Sequence, residues 1–384
     1  MPCIQGEATR MLQLLLGKSL RRNLSTTLLS SCVLRKLGRA SIRIMTFPTK
    51  EVSCPPISCG AGIQCALLKP STGFLFHEPW WLAAVTGGRY EEVVVEQGGH
   101  VVGRLPFVTS RRGPFRVARM PPFTHVLGPL VDTGVGKSQT RLNHRLSITR
   151  GLIDKLPRIA LFEQHIDPSA DDGFASADGL AFQDRGFSVS PQYTFEIDCL
   201  KKVDALWAEM HFKTRQHIRR AEEKYTVRSV DDPAVFADVY LSNLRAMGRP
   251  TRIRFNHFPA LFAECRARGC GEIIGAFLPD GSAASMVYLV WSSTKMYYLL
   301  STRGPNPNDN GSVNLLLWSA MKLANERGLV FDLDGVYTSG SARFLSGFGG
   351  RIKTRLVVRR GSAMFDAMQG LKLRYSRNET RYFT

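Results

Sequence analysis

The sequence lacks long apolar runs, paired cysteines and acids enough to balance its bases. Its 384 residues contain no uninterrupted stretch of about 20 apolar residues, the length that a membrane-spanning helix needs. The eight cysteines form no Cys-x-x-Cys pair, and no histidine stands at metal-ligand spacing from them. These absences exclude an integral membrane protein and indicate neither a zinc site nor a disulfide framework. A reducing cytoplasm fits this cysteine usage best.

Charge is the most unusual property of the composition. The chain has 51 basic and 32 acidic side chains, a formal net charge of +19. Residues 1–44 hold eight of the bases and one acid, so the rest of the chain still carries a surplus of 12 positive charges. Such a body attracts phosphates, coenzyme A, RNA or an anionic membrane surface without choosing among them. The length favours two domains or one large one.

The N-terminal segment has a composition of its own. Residues 8–44 are rich in leucine, serine and arginine and almost free of acids, which is typical of a mitochondrial transit peptide. The alternative is that translation starts at Met45 and that the upstream residues have no function. In both cases we expect residues 1–44 to be a basic extension that is disordered or not part of the fold.

Downstream of the extension, strand-like and helix-like segments alternate, which predicts an α/β fold with a mixed sheet. Two hairpin patterns, at residues 92–107 and 272–291, have glycine at the turn, and each follows a helix pattern. The repeated helix–hairpin unit predicts two related halves in one chain. We place these halves at 45–200 and 201–365, followed by a C-terminal tail at 366–384.

A single helix pattern runs from Asp204 to Tyr225, with apolar residues spaced three and four positions apart. Its polar side carries Lys213, Arg215 and Arg219, and acids return only after these bases. This localised positive charge predicts a site for an anionic substrate group. The alternative is a solvated basic face.

A loop rich in glycine, proline and asparagine joins a strand pattern at 295–301 to a helix pattern that begins at Ser312. The first amides of such a helix point into the loop, where they can hold a phosphate or a pyrophosphate. A capped helix at the surface would give the same pattern. The residues predicted to bind the cofactor are Arg303, Gly304, Asn310, Gly311 and Ser312.

The next strand pattern, at 329–335, carries two aspartates on one face. Side chains alternate along a strand, so Asp332 and Asp334 lie roughly 7 Å apart and can face a common pocket. For Asp332, the pattern supports a role in a functional site and a purely structural role equally. Asp334 precedes a glycine, so its alternative role is that of a turn residue.

The order of these elements resembles the FemAB-like branch of the GNAT acyltransferases over residues 70–365. The order carries the resemblance rather than any single motif, and its pieces are Trp80-Trp81, Gly103-Arg104-Leu105-Pro106, 213–221, Gly275-Ala276, 280–284, Tyr297-Tyr298, Phe331-Asp332-Leu333-Asp334-Gly335, Phe344 and Phe348-Gly349-Gly350. The resemblance implies two GNAT-like folds in one chain. It also implies transfer of an acyl or aminoacyl group to an amine.

Two departures from the family pattern concern the site. Where the family has Phe-Lys before its Phe-Gly pair, this sequence has Phe344-Leu345, so a basic residue near the reacting carbonyl is missing and Arg343 is a candidate replacement. The short pyrophosphate loop of simple coenzyme A-binding GNAT enzymes is also absent, and the longer loop at 303–311 stands in its place. The identity of the donor therefore stays open.

Within this resemblance, Asp332 orients or deprotonates the amine, Tyr298 protonates the leaving group, and Asp334 is a further catalytic candidate. No Ser-His-Asp order or activated cysteine stands out, so we expect direct transfer with acyl-CoA as co-substrate and without a metal. The expected acceptor is an amine on a small molecule or on a glycan precursor of the cell envelope.

Two other functions stay open at this point. The cell-wall members of the family use aminoacyl-tRNA as donor, and a nucleic acid is a partner of this protein only if it uses the same donor. Those members carry a coiled-coil helical arm, and this sequence lacks the sustained heptads of such an arm. A catalytically silent module that grips RNA or an anionic lipid surface also fits the basic surplus. The sequence does not indicate an oligomeric state.

Overall fold

The computed structural model describes residues 74–167, 176–251, 253–304, 311–336 and 338–376, with side chains as far as residue 370. Every described residue belongs to one compact unit, which lies within Ile44–Thr384. The predicted basic extension, residues 1–44, lies outside the described residues.

The described strands form one mixed sheet. In chain order they are β1 (Glu91–Gln97), β2 (His100–Arg112), β3 (Phe115–Arg119), β4 (Leu130–Val131), β5 (Leu161–Ile166), β6 (Ser188–Asp198), β7 (Thr226–Ser229), β8 (Gly271–Phe277), β9 (Ala283–Trp291), β10 (Lys295–Arg303), β11 (Val330–Gly335) and β12 (Arg351–Gly361). Across the sheet the order is β1-β2-β3-β5-β12-β6-β11-β10-β9-β8-β7, and β4 pairs with β2 beside this path. Both predicted hairpins are confirmed, as β1–β2 and β8–β9.

Ten α-helices of the described residues pack on this sheet. They are α1 (Pro79–Thr86), α2 (Ser138–Asp154), α3 (Ser176–Asp184), α4 (Val203–Glu209), α5 (Phe212–Glu222), α6 (Pro233–Ala246), α7 (Phe258–Ala267), α8 (Ser312–Glu326), α9 (Ser339–Ser346) and α10 (Ala363–Ser376). Not one of the helices within the described ranges combines the length and the apolar character needed to cross a membrane. The prediction of an α/β fold with a mixed sheet is confirmed.

Helices cover both faces of the strands that carry the second hairpin. Along β9, Val287 and Leu289 pack with α4, α5 and α8, whereas Tyr288 and Val290 pack on the opposite face with α1, α6 and α7. A strand buried on both faces needs apolar residues at successive positions, which explains the unbroken apolar run at 286–291. A third cluster joins α2 and α3 to the strands of the N-terminal half.

Strand exchange ties the two predicted halves together. Strand β12, from the end of the chain, lies between β5 and β6 and is antiparallel to both. Strand β6, from the N-terminal half, pairs in turn with β11 of the C-terminal half. The sheet therefore runs without interruption across the predicted boundary at residue 200.

Two segments differ from the sequence expectation. The single helix predicted from Asp204 is two helices, α4 and α5, because Met210 is extended (ψ 145°) and the His211 N–H donates to the Gly347 carbonyl. His211 then caps α5 by accepting the Lys213 N–H on its imidazole. The tail predicted from residue 366 begins inside α10, which is anchored where the Phe365 ring packs edge-on against Phe115.

Candidate active site

A cleft opens where two parallel strands separate. Strands β10 and β11 pair only from Lys295 opposite Val330 to Tyr297 opposite Asp332. Beyond these pairs the strands diverge, and a bulge at Leu299 interrupts the pairing of β10 with β9. The resulting cleft has a volume of about 250 Å³ and is lined by Tyr298, Leu299, Leu300, Ser301, Leu333, Asp334, Gly335, Ser341, Phe344 and Leu345.

Asp334 is the charged side chain among the described residues that line this cleft. Its backbone is left-handed (φ 65°), a conformation that few residues other than glycine adopt. The turn is held on both sides: the Asp334 N–H donates to Asp332 Oδ1 (2.9 Å), and the Asp334 carbonyl accepts from Thr194 Oγ1 (2.7 Å). A quarter of the side chain is exposed, so the carboxylate is accessible from the cleft.

Asp332, the stronger candidate from the sequence, lies behind the cleft and not in it. Its side chain is fully buried. Oδ2 accepts from Arg355 Nη2 (2.7 Å), and Oδ1 accepts from Thr194 Oγ1 (2.6 Å) as well as from the Asp334 N–H. Strand alternation brings both aspartates to Arg355, whose Nη1 lies 3.2 Å from Asp334 Oδ1, but the strand end turns only Asp334 toward the cleft. This placement corrects the expectation that Asp332 contacts an amine.

Three further charges complete the buried cluster around Asp332. Lys295 Nζ lies 3.0 Å from Asp167 Oδ2, 2.5 Å from Glu196 Oε1 and 4.0 Å from Asp332 Oδ2. These three carboxylates approach within 4.8 Å of one another, a spacing that suits a metal ion, and the Lys295 ammonium already interacts with all three. Burial lowers the pKa of Lys295, but Tyr297, Asp167, Asp332 and Glu196 together raise it above its usual value.

His125 reaches the site from the loop between β3 and β4, in the N-terminal half. Its Nδ1 lies 3.2 Å from Asp334 Oδ1, and its Nε2 lies 3.3 Å from the carbonyl oxygen of Leu299. The imidazole thus bridges the two strands where they separate. Neither His125 nor Arg355 was singled out by the sequence, since their partners lie 209 and 21 residues away and follow no local period.

Tyr298 lines the wall of the cleft that β10 forms, as Asp334 does on β11. Burial raises the pKa of Tyr298 to about 12, although a hydrogen bond with Ser301 acts in the opposite direction. The phenol therefore carries its proton at neutral pH and can donate it to an atom in the cleft. This placement agrees with the role expected of Tyr298, which stays a prediction.

Leu345 lines the cleft at the position where the FemAB-like pattern has a lysine. The residue belongs to α9, which Thr338 caps: the Ser341 N–H donates to Thr338 Oγ1, and the Thr338 N–H donates to Ser341 Oγ. Leu345 is buried, and Phe344 beside it also lines the cleft, so this wall is apolar. Arg343 is exposed and is absent from the lining, so the structure does not bring this candidate replacement to the cleft.

Helix α8 begins beside α5. Gly311 precedes it in a left-handed conformation (φ 109°), and a Cβ added there would lie 2.7 Å from the His217 carbonyl oxygen, so only glycine fits. The Gly304 N–H donates to the Ala284 carbonyl at the end of β10, and Arg303 is exposed. Ser312 is buried in the first turn of α8. Asn310, predicted to bind the cofactor, lies outside the described residues.

The basic residues of α5 separate into two flanks. Arg215 Nη1 donates to the carbonyls of Trp207 (3.3 Å) and Ala208 (3.2 Å), which caps the end of α4. The Arg219 guanidinium lies 5.6 Å from the centre of the Trp207 ring. Both arginines predicted to bind an anion therefore pack against α4, away from the start of α8.

The other flank of α5 faces the start of α8. Its backbone touches Gly311 at His217, and helical spacing places Lys213 and Arg220 on the same flank as His217. Both of these basic side chains are exposed. Of the three α5 residues predicted to bind an anion, Lys213 alone stands on this flank.

Comparisons with known proteins identify a matching family model and similar folds. Residues 211–343 match the family model described as "Acetyltransferase (GNAT) domain", a range that includes α5, β8 to β11 and α8. The crystal structure of FemX is similar with a TM-score of 0.56 and 16% sequence identity, covering 74% of this chain and 92% of that chain. Residues 211–343 therefore match a GNAT domain, and the fold of the chain is similar to that of FemX. The predicted resemblance to the FemAB-like branch is confirmed at this level.

Other solved structures are similar at lower scores. The C-terminal domain of a putative lysylphosphatidylglycerol synthetase from Agrobacterium fabrum has a TM-score of 0.48 and 16% identity, covering 76% of this chain and 90% of that chain. A tandem GNAT protein from the clavulanic acid biosynthesis pathway has a TM-score of 0.44 and 14% identity, with 71% and 82% covered. No curated protein matches the chain.

Proposed function

We propose that this GNAT-fold protein is an N-acyltransferase that moves an acyl group from acyl-CoA to an amine in the cleft between β10 and β11. The observation that carries the proposal is the position of Tyr298 and Asp334 on the two separated strands that wall one cleft. A proton donor on one wall and a carboxylate on the other are the two groups that amine acylation requires. The GNAT family match over the same elements supports a transferase.

The reaction then follows from the two groups. The Asp334 carboxylate orients the acceptor amine and accepts a proton from its nitrogen, whose lone pair attacks the thioester carbonyl carbon. The carbon–sulfur bond breaks, and the Tyr298 hydroxyl gives its proton to the departing sulfur. Arg355 and His125 hold Asp334 in place through its Oδ1 and are positioning residues. Holding both reactants in contact supplies much of the rate gain.

The start of α8 is the proposed site of the donor's phosphates. The first amides of a helix attract anions, and Lys213 and Arg220 on the neighbouring flank of α5 add positive charge. The apolar wall at Leu345 and Phe344 suits the acyl chain better than a charged group. The acceptor is then an amine on a small molecule or on a glycan precursor of the envelope, attracted by Asp334.

A second candidate donor is aminoacyl-tRNA, whose ester undergoes the same attack by an amine. The exposed bases of α5, which suit a long polyanion as well as a pyrophosphate, favour it. A third candidate is a module without catalytic activity that binds RNA or an anionic membrane surface. It would use the same basic side chains and would not need Tyr298 or Asp334.

The deciding experiment incubates the purified full chain with acyl-CoA species of different chain length and a panel of amines, including amino sugars. Mass spectrometry should detect free coenzyme A and an amide product in equal amounts. The matched control is Asp334→Asn, which keeps the size of the side chain and tolerates the left-handed backbone. Coenzyme A release without amide contradicts an amine as the acceptor, and acyl transfer from aminoacyl-tRNA alone contradicts acyl-CoA as the donor. Phosphate or RNA binding with no transfer from either donor indicates the silent module.

A further inference from the structure

Two cysteines occupy facing positions where α7 ends. The Cys270 N–H donates to the Cys265 carbonyl (2.9 Å), and the Gly269 N–H donates to the Arg266 carbonyl (3.0 Å), with Gly269 left-handed (φ 61°). This pair of hydrogen bonds defines a Schellman motif, in which the side chains at the positions of Cys265 and Cys270 come into contact. Those positions usually hold apolar residues, whereas here both hold thiols.

The surrounding packing keeps the two thiols together. A Cβ added at Gly271 would lie 2.7 Å from the Cys265 Cβ, so the chain that follows Cys270 runs directly against Cys265. The Trp291 N–H donates to the Cys270 carbonyl (2.9 Å) and ties this backbone to β9. The two thiols are hydrogen-bonded to each other, so their sulfurs already lie in contact, as the closure of a disulfide requires.

The two sulfurs differ in access and in acidity. Cys265 is fully buried, and Cys270 is partly exposed. A hydrogen bond from the Cys265 thiol lowers the pKa of Cys270; partial burial opposes this effect, and nearby Arg268 adds to it. The same hydrogen bond, together with burial, raises the pKa of Cys265. Cys270 is therefore the more acidic and more accessible of the two thiols and the one that reacts first, and Cys265 supplies the second sulfur.

We propose that Cys265 and Cys270 form a thiol-oxidation site that reacts with a peroxide and closes into a disulfide. The Cys270 thiolate attacks one oxygen of hydrogen peroxide and the oxygen–oxygen bond breaks. Hydroxide is the leaving group, it takes up the proton that the Cys270 thiol has lost, and Cys270 becomes a sulfenic acid. The Cys265 sulfur then attacks the Cys270 sulfur, the sulfur–oxygen bond breaks, and the hydroxyl leaves as water with the Cys265 proton. Two thiols are oxidised, and one peroxide becomes two waters.

This site is separate from the cleft and does not depend on the proposed acyl transfer. It lies at the end of α7 and the start of β8, and the residues that line the cleft include neither cysteine. The bond would join the end of α7 covalently to the first residue before β8. Arg268, between the two cysteines, stacks on Trp80 of α1 (4.5 Å from guanidinium carbon to ring centre).

The test exposes the full chain to hydrogen peroxide, blocks the remaining thiols in denaturant and maps the peptides by mass spectrometry. The expected product is a peptide pair joined through Cys265 and Cys270, lighter by two hydrogens and restored by a thiol reductant. Cys199 is the internal control, because its thiol is buried and burial raises its pKa to about 12. We expect it to remain reduced.

Single variants separate the two steps. In Cys265→Ala, Cys270 should stop at the sulfenic acid and react with dimedone; in Cys270→Ala, Cys265 should stay reduced. Melting curves of both variants confirm that they are folded. Equal oxidation of Cys199, a disulfide from Cys270 to another cysteine, or a fully reduced Cys270 after treatment would each overturn the proposal.

Discussion

Arg355 Nη2 donates to Asp332 Oδ2 across 2.7 Å, and both side chains are completely buried. The pair connects β12 to β11 across the intervening strand β6, so it stabilises the sheet directly behind the cleft. Through its second nitrogen, Arg355 also holds the carboxylate of Asp334. Several expected outcomes depend on this relationship.

Removing the guanidinium should destabilise the fold. Arg355→Leu removes the nearer of the two cations beside the buried Asp332 carboxylate and leaves only Lys295, 4.0 Å away; breaking a buried ion pair typically costs about 3–5 kcal/mol in the free energy of unfolding. Urea unfolding of the variant measures the loss. The control is Arg351→Leu on the same strand, where the side chain is exposed and the change should stay within about 0.5 kcal/mol. Equal losses in the two variants would contradict a special role for Arg355.

The two aspartates should respond differently to amidation. Asp334→Asn removes the carboxylate that reaches the cleft, so turnover at saturating donor should fall roughly 10²-fold while folding and donor affinity persist. Asp332→Asn should chiefly lower stability, because its carboxylate binds Arg355 rather than a reactant. Single-turnover rates and melting curves of both variants separate these effects. A stable Asp332→Asn enzyme that is slower than Asp334→Asn would reverse the assignment.

Loss of the phenol should slow the departure of the thiol. Tyr298→Phe keeps the ring but removes the proton donor, so the turnover rate should fall while the affinity for acyl-CoA is unchanged. Because the pKa of Tyr298 is raised to about 12, the wild-type rate should show no alkaline loss due to this group below about pH 11. Rate profiles from pH 6 to 11 for both proteins test this expectation.

Donor binding should depend on one flank of α5. Lys213→Ala combined with Arg220→Ala should weaken acyl-CoA binding roughly tenfold at low salt, since each exposed charge contributes up to about 1 kcal/mol. Calorimetric titration at two ionic strengths should also show a reduced salt dependence. Arg215→Ala is the matched control: it should lower stability by uncapping α4 and leave the affinity unchanged. If Arg215→Ala weakened acyl-CoA binding more than the double variant, the anion site would lie on the Arg215 and Arg219 flank of α5, as the sequence predicted.

Acid should destabilise the protein through His77. Burial lowers the pKa of this imidazole from 6.5 to about 3, and Nε2 accepts the Gly128 N–H (3.1 Å). Between these values the unfolded chain binds the extra proton, so stability falls as the pH drops below 6.5, by about 1.4 kcal/mol per pH unit from this group.

Urea unfolding from pH 7 to 5 compares the wild type with His77→Gln, which keeps an acceptor for Gly128. The wild type should lose more stability than this variant over that range. Exposed His100→Gln should retain the full acid sensitivity of the wild type. A His77→Gln variant with the same pH slope as the wild type would show that the imidazole is not the cause.

The elements that the sequence predicts well are those with a local cause. The hairpin turns need glycine where φ is positive, and the apolar run at 286–291 belongs to a strand that is buried on both faces. Both features can therefore be read from neighbouring residues. The break between α4 and α5 does not, because it depends on a hydrogen bond from His211 to Gly347, 136 residues later. An apolar stripe that continues through the break hides it.

Site prediction has the same limit. Alternation along β11 correctly brings Asp332 and Asp334 to one partner, but it does not reveal that Arg355 occupies the space behind Asp332. The left-handed turn at Asp334, which decides which carboxylate reaches the cleft, gives no signal beyond the glycine that follows. The approach of His125 from the other half of the chain follows no sequence period at all.

The position of β12 between β5 and β6 also has a consequence for synthesis. Both flanking strands leave the ribosome more than 150 residues before β12 does. Until residues 351–361 emerge, β5 and β6 each present an unpaired edge, the kind of surface on which chains associate wrongly. The N-terminal half therefore cannot complete its own sheet until residues 351–361 have been synthesised, and a chain that stops before residue 351 leaves that gap open permanently.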